Sequence, residues 1–190
     1  MSDCPFRKEL TEYPFDLHII DDKMHELEKN LGYAFRDIRN LANAMCGKRL
    51  SSSATGPNNK DYYNNSLALV GDCILKSILA EELFRRGLCK GDITEFKKGL
   101  EGNETLLRLS DGLELKKYVF NENGFLPHIK PGKEPPPYSN HNQYLEAIIG
   151  SVFFDSDYET CRSWVLNRFY PSDKLDERIK QWSQLSLLTL

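Results

Sequence analysis

The sequence predicts an all-α protein. Three observations carry that expectation: apolar residues recur at three- and four-residue spacings along most of the chain, two long segments are apolar nearly all round, and turn-forming residues cluster between the periodic stretches. Met24, Leu27, Leu31, Phe35, Ile38, Leu41, Ala42 and Met45 trace one face, interrupted at Gly32, so residues 23–46 read as two helices joined by a turn. Residues 50–61, LSSSATGPNNKD, offer the backbone turns and side-chain hydrogen bonds and read as a loop. From Asn65 to Arg86 the residues Leu67, Leu69, Val70, Ile74, Leu75, Ile78, Leu79, Leu83 and Phe84 cover so much of the helix that it must be mostly buried.

Gly87 and Gly91 mark the next turn, after which Asp92 and Thr94 offer capping oxygens to a helix through Phe96 and Leu100; Asn103 offers one to a helix reaching Leu109. Pro127, Pro131, Pro135, Pro136 and Pro137 make the stretch from Asn121 to Asn140 a loop or extended connector. A second nearly all-apolar helix spans His141 to Phe154 around Glu146. Asp157 or Ser156 starts the last core helix, with Cys161, Trp164, Val165 and Phe169 on its inner side and Pro171 closing it. The expected organisation is an N-terminal extension (1–20), a helical domain (21–171) and a C-terminal tail (172–190) in which Trp182 and LSLLTL pack on the body or on a partner.

With 190 residues, 40% hydrophobic and 28% charged, the chain has the composition of one ordinary globular domain. No apolar run approaches the roughly 20 residues of a membrane span, and the N-terminal residues resemble neither a signal nor a transit peptide. The expected location is intracellular, cytoplasmic before nuclear or mitochondrial. Five cysteines without CxxC spacing point to free thiols and not to zinc, and Cys73 reads as a small buried apolar residue. The four histidines show no metal spacing, and no nucleotide cofactor is expected. A net charge of −3 excludes binding nucleic acid by bulk electrostatics, so any such contact must use a local patch.

The chemistry gathers around two lone acids. Asp72 and Glu146 each interrupt an apolar helix, and burying an unpaired carboxylate costs several kcal/mol unless a metal, proton or cation compensates it. Asp72 shares its helix face with Asn65, Ala68 and Lys76; Glu146 shares its own with Asn142, Gln143 and Gly150. Two rigid helices could bring the acids together as a hard-oxygen site suited to Mg²⁺, with Mn²⁺ as a substitute, for phosphodiester hydrolysis. The mundane alternative is an exposed ion pair between Asp72 and Lys76, worth ~0.3–0.5 kcal/mol.

Read in order, LEKNLGYAFRDIRNLANAM (27–45), NNSLALVGDCIL (64–75), KGDITEFKKGLEGNETLLRLS (90–110) and NQYLEAIIGSVFFD (142–155) resemble the catalytic domain of ribonuclease III. The resemblance covers residues 20–171. It implies an all-helical fold and a two-fold homodimer with the glycine- and aspartate-bearing helix at the interface. It also implies metal-dependent cutting of double-stranded RNA, which is recognised by shape and backbone more than by base sequence. Typical active members carry glutamates seven and four residues before the signature aspartate and an aspartate three before the last-helix glutamate. Here those positions hold Asn65, Ala68 and Gln143, while Asp72 and Glu146 remain as the expected catalytic and metal-binding pair. Asn65, Gln143 and Asp92 are the expected supporting shell, and Lys97 and Lys98 the expected RNA contacts. A compact branch of the family without a double-stranded RNA-binding domain also keeps chiefly one aspartate and one glutamate. The rival expectation is an inactive RNA-binding or scaffold module that kept the fold and lost the site.

Overall fold

The structure, a computed structural model, describes residues 17–46, 64–121, 124–125 and 141–188. Among them lie eight α-helices: α1 (Leu17–Leu31), α2 (Ile38–Met45), α3 (Asn65–Arg85), α4 (Lys90–Glu101), α5 (Asn103–Gly112), α6 (His141–Asp155), α7 (Tyr158–Phe169) and α8 (Ser172–Leu188). A 3-10 turn spans Leu115–Lys117, and the sole sheet among these residues is a minimal hairpin of β1 (Phe120–Asn121) and β2 (Gly124–Phe125) with Phe120 opposite Phe125. The all-α expectation therefore holds. Gly32 and Gly87, at φ +65° and +84°, let the chain leave α1 and α3 through the left-handed region that side chains disfavour.

Helix α6 is the axis of the core. Its Leu145, Ala147, Ile148, Ile149 and Val152 are buried, α3 lies against it through Ala68, Leu75, Ile78 and Leu79, and α2 and α5 pack on its flanks. The approach of α3 to α6 is a backbone contact: a Cβ placed on Gly71 would stand 1.7 Å from the Glu146 carbonyl oxygen, and one on Gly150 would stand 2.5 Å from that of Leu67. Helices carrying larger side chains keep 8–10 Å between axes, so these two glycines are what lets α3 and α6 touch.

Polar bonds fix the surrounding pieces. The buried Asp155, at the end of α6, accepts hydrogen bonds from Tyr33 Oη (3.0 Å), the Arg36 and Asp37 amides (2.8 and 3.0 Å) and Asn40 Nδ2 (2.9 Å), which stitches the α1–α2 connector to the core. Trp164 is core, as expected, and donates its indole N–H to the Leu31 carbonyl at 3.0 Å. On the far side, Arg162 of α7 pairs with Glu82 of α3 at 2.5 Å, and Arg86 pairs with Glu82 at 3.0 Å and with Asp176 of α8. Leu175 is buried and Trp182 meets Phe96 edge-on at 5.7 Å, so α8 is held against the body.

Several sequence expectations need correction. Helix α4 starts at Lys90 with Cys89 as its cap; Asp92 sits inside the first turn and Thr94 Oγ1 donates back to the Lys90 carbonyl, so neither caps it. Helix α5 is capped by Gly102, with Asn103 as its first residue. Asp157, not Ser156, caps α7 by accepting from the Thr160 amide at 2.8 Å. Cys73 is exposed, because it shares a stripe of α3 with Leu69 and Lys76 that α6 does not cover. Residues 1–16, the 50–61 loop and the proline-rich connector lie outside the described residues. Among the described residues no helix is long and apolar enough to cross a membrane.

The crossing makes a sharp contrast between glycines. Gly71→Ala is expected to cost ~3 kcal/mol or more by overpacking backbone against backbone. Gly99→Ala, on α4 with open space around it, is expected to gain about 0.5–1 kcal/mol from helix propensity. Denaturant unfolding of the two variants measures both; equal stabilities would contradict the contact.

Candidate carboxylate site at the α3–α6 crossing

Asp72 and Glu146 enter the site from the crossing itself. Asp72 follows Gly71 on α3, and Gly71 faces the backbone of Glu146 on α6. The two side chains thus start from backbones in contact, on helices too tightly packed to slide apart. Neither acid is fully buried: Asp72 and Glu146 are both half-buried.

Their electrostatics differ. The Glu146 carboxyl is pushed up to about 7, chiefly by burial and next by the negative charge of Asp72, with Lys76 opposing the shift. No described residue donates a hydrogen bond to it. Asp72, by contrast, accepts a 2.6 Å bond from the Lys76 ammonium one turn later on α3. The ion pair that spacing allowed as the mundane alternative is therefore formed, and Asp72 is also near enough to Glu146 for its charge to act on that carboxyl. The pair raises the Lys76 pKa, mainly through the hydrogen bond to Asp72, and Glu101 of α4 adds to the same effect.

Glu101 is the residue that sequence reasoning missed. It sits near Lys76 and accepts a 2.6 Å bond from Lys97 on its own helix. The i, i+4 spacing of Lys97 and Glu101 was visible in the chain, but their approach to α3 is a tertiary fact. Asn64 was missed as well. This buried side chain donates to the Ala44 carbonyl at 2.7 Å and accepts at 2.6 Å from Gln143 Nε2, tying the starts of α3 and α6 to the end of α2.

The other candidates lie at varied removes. Gln143 is one helical turn before Glu146, with its amide oriented by Asn64. Asn65 is exposed two turns before Asp72 on α3. Asp92, in the first turn of α4, accepts from the Cys89 thiol at 3.0 Å. Lys97 and Lys98 are each matched by a glutamate, Glu101 and Glu95, at 2.6 and 2.7 Å, so the basic patch is locally neutralised.

Whether the donor set fits a divalent cation turns on the two acids. Among the described residues no group of three or more His, Cys, Asp or Glu is gathered as a metal cage. Two electrostatically coupled carboxylates, one of them raised towards neutrality by burial and by the other's charge, are a donor set that fits Mg²⁺ or Mn²⁺, which take few protein ligands and fill the rest of the octahedron with water and phosphate.

Residues 65–157 match the family model of the ribonuclease III domain. The chain is similar to ribonuclease 3 of Vibrio cholerae (31% identity over 153 residues, 77% of this chain and 60% of the relative). It is also similar to that of Idiomarina loihiensis (30% over 154 residues, 80% of this chain and 62% of the relative). The chain thus spans about 60% of the length of these curated relatives. Among solved structures it is similar to the nuclease domain of ribonuclease III from Campylobacter jejuni, with a TM-score of 0.62 and 25% identity, covering 77% of this chain and 95% of that one.

A carboxyl whose folded pKa lies above its unfolded value holds its proton more tightly when folded, so its contribution to stability is greatest below pH 4.5 and is lost as pH rises to about 7. In chelator, Glu146→Gln should therefore leave stability at pH 4.5 nearly unchanged and raise it at pH 8 by about 1–2 kcal/mol after solvent screening. Urea titrations at the two pH values check this; equal effects at both would contradict the shifted carboxyl.

Proposed function

The chain carries a domain of the ribonuclease III family, and from that premise we propose that it is a metal-dependent endoribonuclease acting on double-stranded RNA through Asp72 and Glu146. The observation that carries this reading is the electrostatic coupling of those two acids, carried on backbones that touch at Gly71 and Gly150, inside the stretch that matches the family.

In this reading Asp72 and Glu146 hold Mg²⁺ or Mn²⁺, while the polar side chains of Gln143 and Asn65 would hold water at the edge of the site and Asp92 would serve as an outer acid on α4. The bound cation would supply charge that activates water and stabilises the departing oxyanion. The tightly packed helices keep the two carboxylates in place before substrate arrives, so positioning costs little at the moment of reaction. Lys97 and Lys98 would exchange their glutamate partners for backbone phosphates, a sequence-independent contact that suits RNA recognised by shape.

Homodimerisation belongs to the same proposal. The Campylobacter jejuni nuclease domain is described by a region involved in dimer formation. Here Leu69 and Phe84 on α3 and Phe154 on α6 stand 67%, 71% and 62% exposed, large apolar side chains that a second copy of the chain would cover. Cys73, one turn from Leu69, would be covered with them.

The purified chain should cut long double-stranded RNA in Mn²⁺, and Asp72→Asn or Glu146→Gln should each lower cleavage at least ~100-fold with the circular dichroism spectrum unchanged. RNA that is retarded on a gel yet stays intact would favour the inactive module, a reading that the Asp72–Lys76 pair and the three missing family acids support.

Leu69→Glu should convert a dimer into a monomer in analytical ultracentrifugation and speed labelling of Cys73 by a thiol reagent. Its effect on the monomer's own stability should stay within about 0.5 kcal/mol, as for other exposed positions. Unaltered sedimentation would move the interface elsewhere.

A further inference from the structure

We propose that Lys76 is a resident counter-cation that competes with the divalent metal for Asp72 and so sets the metal affinity of the site. The inference rests on the reading of Asp72 and Glu146 as the metal-holding pair. Three observations carry it. Lys76 is one turn from Asp72 on a well-packed helix, with its Nζ 2.6 Å from the Asp72 carboxylate. The same ammonium lies in the field of Glu101 of α4, a carboxylate that it would have to share with Lys97 on leaving Asp72. Lys76 is also 46% exposed, so it can swing away at the small cost of breaking an exposed ion pair.

The charge arithmetic gives the consequence. Asp72 and Glu146 alone would present two negative charges to an arriving cation, and Lys76 cancels one of them. Affinity of oxygen sites for Mg²⁺ and Ca²⁺ is tuned by ligand charge, so a chain with few acidic ligands and an internal ammonium binds metal weakly. Lys76 thus raises the metal concentration at which the site is half filled.

Binding of Mn²⁺ to the full chain, followed by calorimetry or by electron paramagnetic resonance of the free ion, tests this without RNA. Lys76→Gln and Lys76→Met should each bind Mn²⁺ roughly tenfold or more tightly than the unaltered chain, the scale of removing one nearby unit charge. Asp72→Asn should remove the gain in either background, and melting curves should show all variants folded. Equal or weaker binding in both Lys76 variants would overturn the proposal. Where the unaltered chain cleaves RNA and the Lys76 variants bind Mn²⁺ no better, this inference fails and the proposed function stands. Where the unaltered chain neither binds Mn²⁺ nor cleaves while the Lys76 variants bind it, the proposed function of the native chain fails and this inference stands.

Discussion

The backbone contact of Gly71 with the Glu146 carbonyl, mirrored by Gly150 against Leu67, sets where every side chain of the candidate site begins. Without side chains at these two positions, α3 and α6 meet closely enough for an aspartate on one and a glutamate on the other to feel each other's charge. The cost of that arrangement appears in Glu146, raised towards neutrality by burial and by Asp72. The rest of the core braces the crossing. Asp155 anchors the α1–α2 connector to α6, Asn64 ties α2, α3 and α6 together, and the Arg162–Glu82 and Arg86–Glu82 pairs fasten the far end of α3.

The candidate site at this crossing carries little net negative charge, two carboxylates with an ammonium on one of them. The resemblance to ribonuclease III implies acids where this chain has Asn65, Ala68 and Gln143, and Lys76 pairs with Asp72, one of the two acids that remain. The same lysine limits the repulsion between Asp72 and Glu146, which lets the fold carry two facing carboxylates. In the proposed reading, stability and metal affinity therefore pull in opposite directions at Lys76. This tension connects the two functional readings: a site that a cation can still claim behaves as an enzyme, and one that the ammonium keeps behaves as a binding module.

The sequence disclosed most of what depends on local periodicity. The helices of residues 23–46, 65–112 and 141–169, the turns at Gly32 and Gly87, the core role of Trp164 and the four ordered blocks were readable, because apolar spacing and turn chemistry act over a few residues, whereas the stretch expected as a C-terminal tail is the helix α8. The caps of α4 and α5 misled, since Asp92 and Asn103 are good capping residues displaced by a cysteine and a glycine already in extended backbone. Cys73 misled for a related reason: in a helix read as mostly buried, it falls on the one stripe left uncovered. Glu101 near Lys76, and Asn64 bridging Ala44 and Gln143, are joined by long-range packing that no spacing rule contains. Asp72 and Glu146 stood out as isolated acids, but that Asp72 faces both Glu146 and Lys76 came from the three-dimensional arrangement.

The central claim is that the α3–α6 crossing creates one cation position, shared between Lys76 and a divalent metal. Anomalous diffraction from crystals of the chain soaked in Mn²⁺ measures it most directly. The account predicts a manganese peak in contact with both the Asp72 and Glu146 carboxylates, with the Lys76 ammonium moved off Asp72 towards Glu101. Crystals saturated with Mn²⁺ that show no peak there, and Lys76 still bound to Asp72, would contradict it.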